Sequence, residues 1–341
     1  MGRTLADPRL APVGGAAVSV ALFLAPWLLG PMGIMASVWS PFPVARVYRR
    51  QGAGAGRLAL LLATAGALTA MGLTGGGAGG LYYLFYGALA LGLGEAGARG
   101  LSDDRGLALA AGAGLGAILV LALAAGMLAG GAPQGKGRPE GERRPRLESP
   151  APEQPGGGSW EGAWQAYWQN ELEAVEEIYR RSGLSAQQLA ALRRALRQTG
   201  AVLLRLGPGV LAAGALLIAW ANLLLLRRLE REEAPRGDLT TWRSPYPLVW
   251  LFIAGAAGMV LGEGTWFWVG ANLVLVLGVV YFFQGCAVLA YWLDKKQAPR
   301  LLRAGIYLLV ALEFFLAVVI ALAGLFDLWF NFRRLPSEQS P

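Results

Sequence analysis

Long apolar runs, broken by short polar stretches rich in arginine, fill most of this chain. The clearest runs are residues 13–30, 58–73, 81–94, 107–128, 210–226, 247–262, 267–293 and 304–326. A hydrocarbon layer about 30 Å thick takes about 20 helical residues to cross, and several runs reach that length. The pattern predicts an all-α membrane bundle of eight or nine transmembrane helices. Residues 31–47 would supply a further crossing, but Pro31, Pro41 and Pro43 interrupt it. Ser40, Pro41, Phe42 and Pro43 cannot continue a regular helix, so this segment reads as broken or partly re-entrant. Non-helical backbone at membrane depth survives only when buried in protein or lining a cavity, so the break points to a cavity. Prolines at the exit of a span are the plainer alternative.

Between residues 131 and 159 large apolar side chains almost vanish and Gly, Pro, Glu and Arg take over, which reads as a disordered linker. From Trp160 the helical period returns. Trp160, Trp164, Trp168, Leu172, Val175 and Tyr179 share a stripe, and Ser182-Gly183 ends it. Ser185 with Gln188 forms a capping box for a second helix up to Gly200, with Leu189, Leu192 and Leu196 opposite Arg193, Arg194 and Arg197. The expected organisation is residues 1–130 as N-terminal spans, 131–159 as linker, 160–200 as an extracytoplasmic amphipathic hairpin, and 201–335 as C-terminal spans. Rings of this kind suit the headgroup region. The hairpin therefore reads either as packing over the bundle mouth or as a lid carrying Trp160, Trp164 and Trp168.

Composition agrees with a lipid solvent: 55% of the 341 residues are hydrophobic and 15% charged. If residues 13–30 and 31–47 both cross, the N-terminus and the loops 46–57, 99–105, 227–243 and 295–303 share one face. Those five hold 17 of the 30 basic residues, and the short loops opposite hold none. The positive-inside rule then makes the arginine-rich face cytoplasmic, in a multi-pass inner-membrane protein with a cytoplasmic N-terminus. Arg333 and Arg334 at the tail run mildly against this. The net charge of +8 is thereby spent on topology and implies no nucleic-acid partner.

Histidine is absent and Cys286 is the sole cysteine, so the usual metal ligands and acid–base groups are missing. No metal, no cofactor and no enzymatic activity are expected. Gly130–Gly137 approaches a phosphate-loop pattern but lacks its Ser/Thr, its strand and its helix. Asp103-Asp104 stands without acidic partners and reads as solvated loop charge.

Polar groups inside spans mark candidate sites, because they are costly there. Glu313 falls near the middle of the run 304–326, Arg205 precedes Gly207-Pro208-Gly209, and Asn272 lies at about the depth of Arg205. These three are the candidate substrate-binding residues. A protonated Glu313 bonded to neighbouring backbone is the structural alternative. Glycines at 92, 94 and 97, at 112, 114 and 116, and at 258 and 262 read as helix-packing positions.

The stretch from Asn272 through Tyr281 to Gln284-Gly285, then Leu293-Asp294 to Pro299-Arg300, and the closing Gly324, Asp327 and Arg333-Arg334 resemble the YybS-like family of bacterial membrane proteins. So does the opening, with Ser40–Pro43 before Arg49-Arg50 and Gly52. More distantly the chain resembles the S components of energy-coupling-factor transporters. Those bind a small vitamin or metal ion near their outer face and rely on a separate ATPase module. The extra spans and the outer hairpin here depart from that pattern. Two readings stand: a small-molecule binding or transport-related subunit without its own ATPase, and a scaffold organising partner membrane proteins. An enzyme acting on lipid-linked substrates is a third. The implied partners are the bilayer, a small ligand, and a partner membrane protein or ATPase module.

Overall fold

The computed structural model describes residues 10–73, 77–130, 186–230 and 239–335. Two compact units are present: residues 1–117 with 206–341, and residues 118–205. All regular structure in the described residues is helical.

In the first unit, α1 (Ala11–Leu29) ends at Gly30, whose φ of 58° turns the chain sharply. The short helices α2 (Pro31–Ser37) and α3 (Pro41–Gln51) then run back along α1. Gly33 packs on Ala25, Ser40 on Ser19, and Pro43 and Val47 on Gly15. The prolines therefore produce an interrupted return helix, broken at residues 38–40. Helix α4 (Ala53–Leu73) buries Gly56, Ala59, Ala63, Ala67 and Met71, a stripe at three- and four-residue spacing. The short α5 (Gly77–Leu81) packs Gly80 on Leu68 of α4, and α6 (Tyr83–Ala98) then descends against α4, setting Gly87 on Leu60. Tyr48 is wedged between Gly56 and Gly94, where any added Cβ would meet its ring. Helix α7 (Asp103–Gly130) lies against α6 through Gly92 and Ala110.

Helix α8 (Ala186–Glu230) is continuous for 45 residues. The expected hairpin helix ending at Gly200 is thus the first part of the same helix that carries the span. An interior glycine costs only about 1 kcal/mol, too little to end a helix held by tertiary packing. Residues 186–205 of α8 fall in the second unit, with Leu189, Leu192 and Leu196 half-buried and Arg193, Arg194 and Arg197 exposed. The linker and the first hairpin helix, with Trp160, Trp164 and Trp168, lie outside the described residues.

A 3-10 turn (Leu239–Thr241) leads into α9 (Leu248–Leu261), then α10 (Thr265–Lys295), α11 (Arg300–Leu312) and α12 (Phe314–Phe330). Helix α8 runs parallel to α10: Gly209 meets Asn272, and Trp220 stacks on Phe283 at 4.4 Å. Helix α12 runs antiparallel to α10 at very close range. A Cβ on Gly285 would sit 1.9 Å from the Ile320 carbonyl oxygen, and one on Gly324 2.0 Å from that of Tyr281.

Five helices are long and apolar enough to cross a membrane: α1, α4, α7, α8 and α10. The pair α11 and α12 makes a sixth only if counted as one span, and it is bent by 104°. The expectation of eight or nine regular spans is therefore not met among the described residues. Length is the reason, since α6 has 16 residues, α9 has 14, and α2 with α3 is interrupted.

Candidate ligand cavity

The break between α2 and α3 frees backbone carbonyls that lipid cannot satisfy. Ser19 Oγ donates to the Ser40 carbonyl at 2.6 Å, and Asn222 Nδ2 of α8 donates to the Val38 carbonyl at 2.8 Å. Ser40 Oγ donates in turn to the Ser19 carbonyl at 3.0 Å, and the Tyr83 hydroxyl lies 2.6 Å from Ser19 Oγ. Ser19, Ser40 and Asn222 are fully buried. The junction is thus closed by side chains, and α8 is tied to the N-terminal helices through it.

Trp39, at that junction, faces a cavity of about 530 Å³. Trp220 and Leu224 of α8, Phe282, Phe283 and Ala290 of α10, Trp242, and Tyr307 and Val310 of α11 complete most of its wall. The lining is overwhelmingly apolar, and Asp103 and Arg228 are its charged members. A second cavity of about 770 Å³ shares Leu224, Arg228 and Tyr307 with it and adds Arg227, Arg300 and Arg303. The apolar chamber therefore adjoins an arginine-lined vestibule.

The four vestibule arginines differ in state. Arg227 is ion-paired with Asp103. Arg303 is paired with Asp294 and donates to the Ala298 carbonyl at 2.8 Å, which holds α11 on the end of α10. Arg228 and Arg300 have no hydrogen-bond or ion-pair partner among the described residues and are exposed. Nearby, Arg49 pairs with Glu230 at 3.1 Å. Arg49, Asp103, Arg227, Arg228, Glu230, Arg300 and Arg303 thus gather at one end of the bundle.

A different polar cluster is sealed inside the C-terminal helices. Asp327 Oδ2 accepts from Arg333 Nη2 at 2.7 Å, from Arg333 Nε at 3.1 Å and from Gln284 Nε2 at 3.2 Å. Arg333 Nη1 donates to the carbonyls of Thr240 and Trp242 at 2.6 and 2.8 Å. Ser244 Oγ donates to Gln284 Oε1 at 2.5 Å. Both side chains of the ion pair are wholly inaccessible to solvent. Arg333 is therefore a structural pin, and only Arg334 of the tail pair remains as an exposed charge against the expected orientation.

Of the residues proposed from sequence, Glu313 and Asn272 sit at different places in the first unit. Asn272 accepts from the Gly209 amide at 2.5 Å and donates to the Trp268 carbonyl at 2.7 Å, so it serves helix packing beside Pro208. Glu313 is exposed at the 104° bend between α11 and α12, and so is not the mid-helix group that the run 304–326 suggested. Counting along the antiparallel pair from the Gly285–Ile320 contact, Glu313 and Asn272 lie roughly 30 Å apart. Arg205 belongs to the second unit. The residues that do converge, Trp39, Trp220, Trp242, Arg228 and Arg300, read in sequence only as apolar or topology-setting positions. Trp39 and Trp242, each near a break in the apolar pattern, were the available signal. Asp103, read as solvated, is the partner of Arg227.

These features define a multi-pass α-helical membrane protein of lipid-solvated exterior, with large apolar side chains such as Leu301, Leu312, Phe314 and Phe315 turned outward. The chain belongs to the family described as predicted membrane protein (DUF2232), whose model matches residues 17–328. No curated protein and no solved structure matches the chain. The likenesses to the YybS-like group and to transporter S components rest on the sequence motifs alone.

Proposed function

We propose that this protein is a membrane subunit that binds a small amphiphilic molecule in the chamber between α8, α10 and α11, without an ATPase and without chemistry of its own. The observation that carries this reading is the 530 Å³ apolar chamber ending in charged residues. Ligand sites are typically concave, mostly apolar and a few hundred Å³ or more in size, with a few polar groups fixing orientation. In this reading the arginine-rich end faces the cytoplasm of a cell whose inner membrane holds the protein.

The scaffold reading drew on glycine-lined faces. Gly255 and Gly258 of α9 lie against Gly270 and its neighbours on α10, so that face is used within the chain. The binding reading therefore has the stronger support.

The test is native mass spectrometry of the full chain in detergent, comparing wild type with Ala290→Trp, which places an indole in the chamber. A small molecule retained by wild type and missing from the variant is the expected result. Identical spectra, with the variant equally monodisperse, would remove the chamber from consideration.

A further inference from the structure

We infer that the ligand is a phosphate-bearing membrane lipid, its hydrocarbon chain in the apolar chamber and its phosphate on Arg228 and Arg300. The inference rests on the binding reading above and adds the chemical class. A ligand that fills an apolar chamber and ends among arginines must be apolar along most of its length and anionic at one end. Arg227 and Arg303 already face Asp103 and Asp294, so their charge is spent. Arg228 and Arg300 keep theirs, which leaves two positive charges beside the chamber with no counter-ion among the described residues. Guanidinium groups match a phosphate in planar, charge-assisted hydrogen bonds better than any other side chain.

The setting supplies the route. Helix α11 is turned 104° from α12, so it lies across the bundle end instead of continuing through it. Leu301, Leu302, Leu308, Leu309 and Leu312 on it are exposed, while Val310 is turned inward to the chamber wall. A helix with leucines outward and arginines in its first turn suits the plane of the headgroups. A lipid of that leaflet therefore reaches the vestibule with its phosphate already at the level of Arg300. Water-soluble anions would lack the chain, and neutral lipids the phosphate.

The experiment measures binding of dioleoyl phosphatidic acid to the full chain in mixed micelles, with dioleoylglycerol and inorganic phosphate as the two partial ligands. Wild type is expected to bind phosphatidic acid saturably, with neither partial ligand competing. Loss of two charge-assisted bonds makes Arg228→Gln with Arg300→Gln at least about tenfold weaker. Both positions are exposed, so these variants retain the fold. Arg303→Gln serves as the comparison and is expected to weaken binding less. If Ala290→Trp abolishes binding while the Arg228/Arg300 variant binds like wild type, the phosphate assignment falls and the chamber survives. If inorganic phosphate competes as well as the lipid, the site is a surface anion site and the inference is overturned. Unchanged binding in every variant means an annular lipid only, and both readings fall.

Discussion

Replacing Asp327 with Asn tests whether the buried ion pair holds the C-terminal end of α12 against the turn before α9. In the native arrangement Arg333 spends three nitrogens on Asp327 Oδ2 and two backbone carbonyls, at 2.6 to 3.1 Å, with no solvent access. The substitution leaves the guanidinium facing two carbonyls and an amide in a dry interior. Removing one partner of a buried pair costs about 3–5 kcal/mol, because the remaining charge has lost its counter-ion and cannot reach water. At about 2–4 °C per kcal/mol that lowers the unfolding temperature by roughly 10 °C. The assay is the loss of monodisperse protein on size exclusion after stepwise heating in detergent. Arg333→Met is expected to cost less, since a stranded carboxylate has the option of neutralising and a guanidinium does not. The double variant should lie above Asp327→Asn alone, giving a coupling of about 1–3 kcal/mol. An Asp327→Asn protein melting within 2 °C of wild type, an estimate from the same slope, would refute the reasoning.

Gly324→Ala and Gly285→Ala each place a methyl about 2 Å from a backbone oxygen of the facing helix, so α10 and α12 must separate. Each should destabilise by at least about 1–3 kcal/mol, whereas Gly278→Ala, with nothing within 4 Å, should be neutral or better in the same melting assay. Asn222→Leu strands the Val38 carbonyl inside the protein and is expected to cost about 1–3 kcal/mol, measured as above. Glu313→Gln changes an exposed group at a bend and should shift stability by no more than about 0.5 kcal/mol and leave lipid binding intact. With Cys286→Ser as background, a cysteine at Lys296 should react with a membrane-impermeant maleimide only after cells are opened. Labelling of intact cells would reverse the proposed orientation.

Hydropathy determined the solvent of this chain without help, because the cost of moving a side chain into lipid depends on its own chemistry and little else. The interruption before Pro41 was legible too, because proline carries its backbone restriction with it. Three things had to wait for the fold. Arg227 and Arg228 are adjacent and chemically identical, and both line the vestibule, yet only Arg227 is paired, with an Asp103 more than a hundred positions away. Arg333 counted as a topology charge until Asp327 and two carbonyls enclosed it. Glu313 looked central in an unbroken apolar run, since the bend at that residue leaves no trace in hydropathy. Local preference is written in each residue, but whether a charge is free, paired or buried depends on which helices pack together, and that is decided in three dimensions.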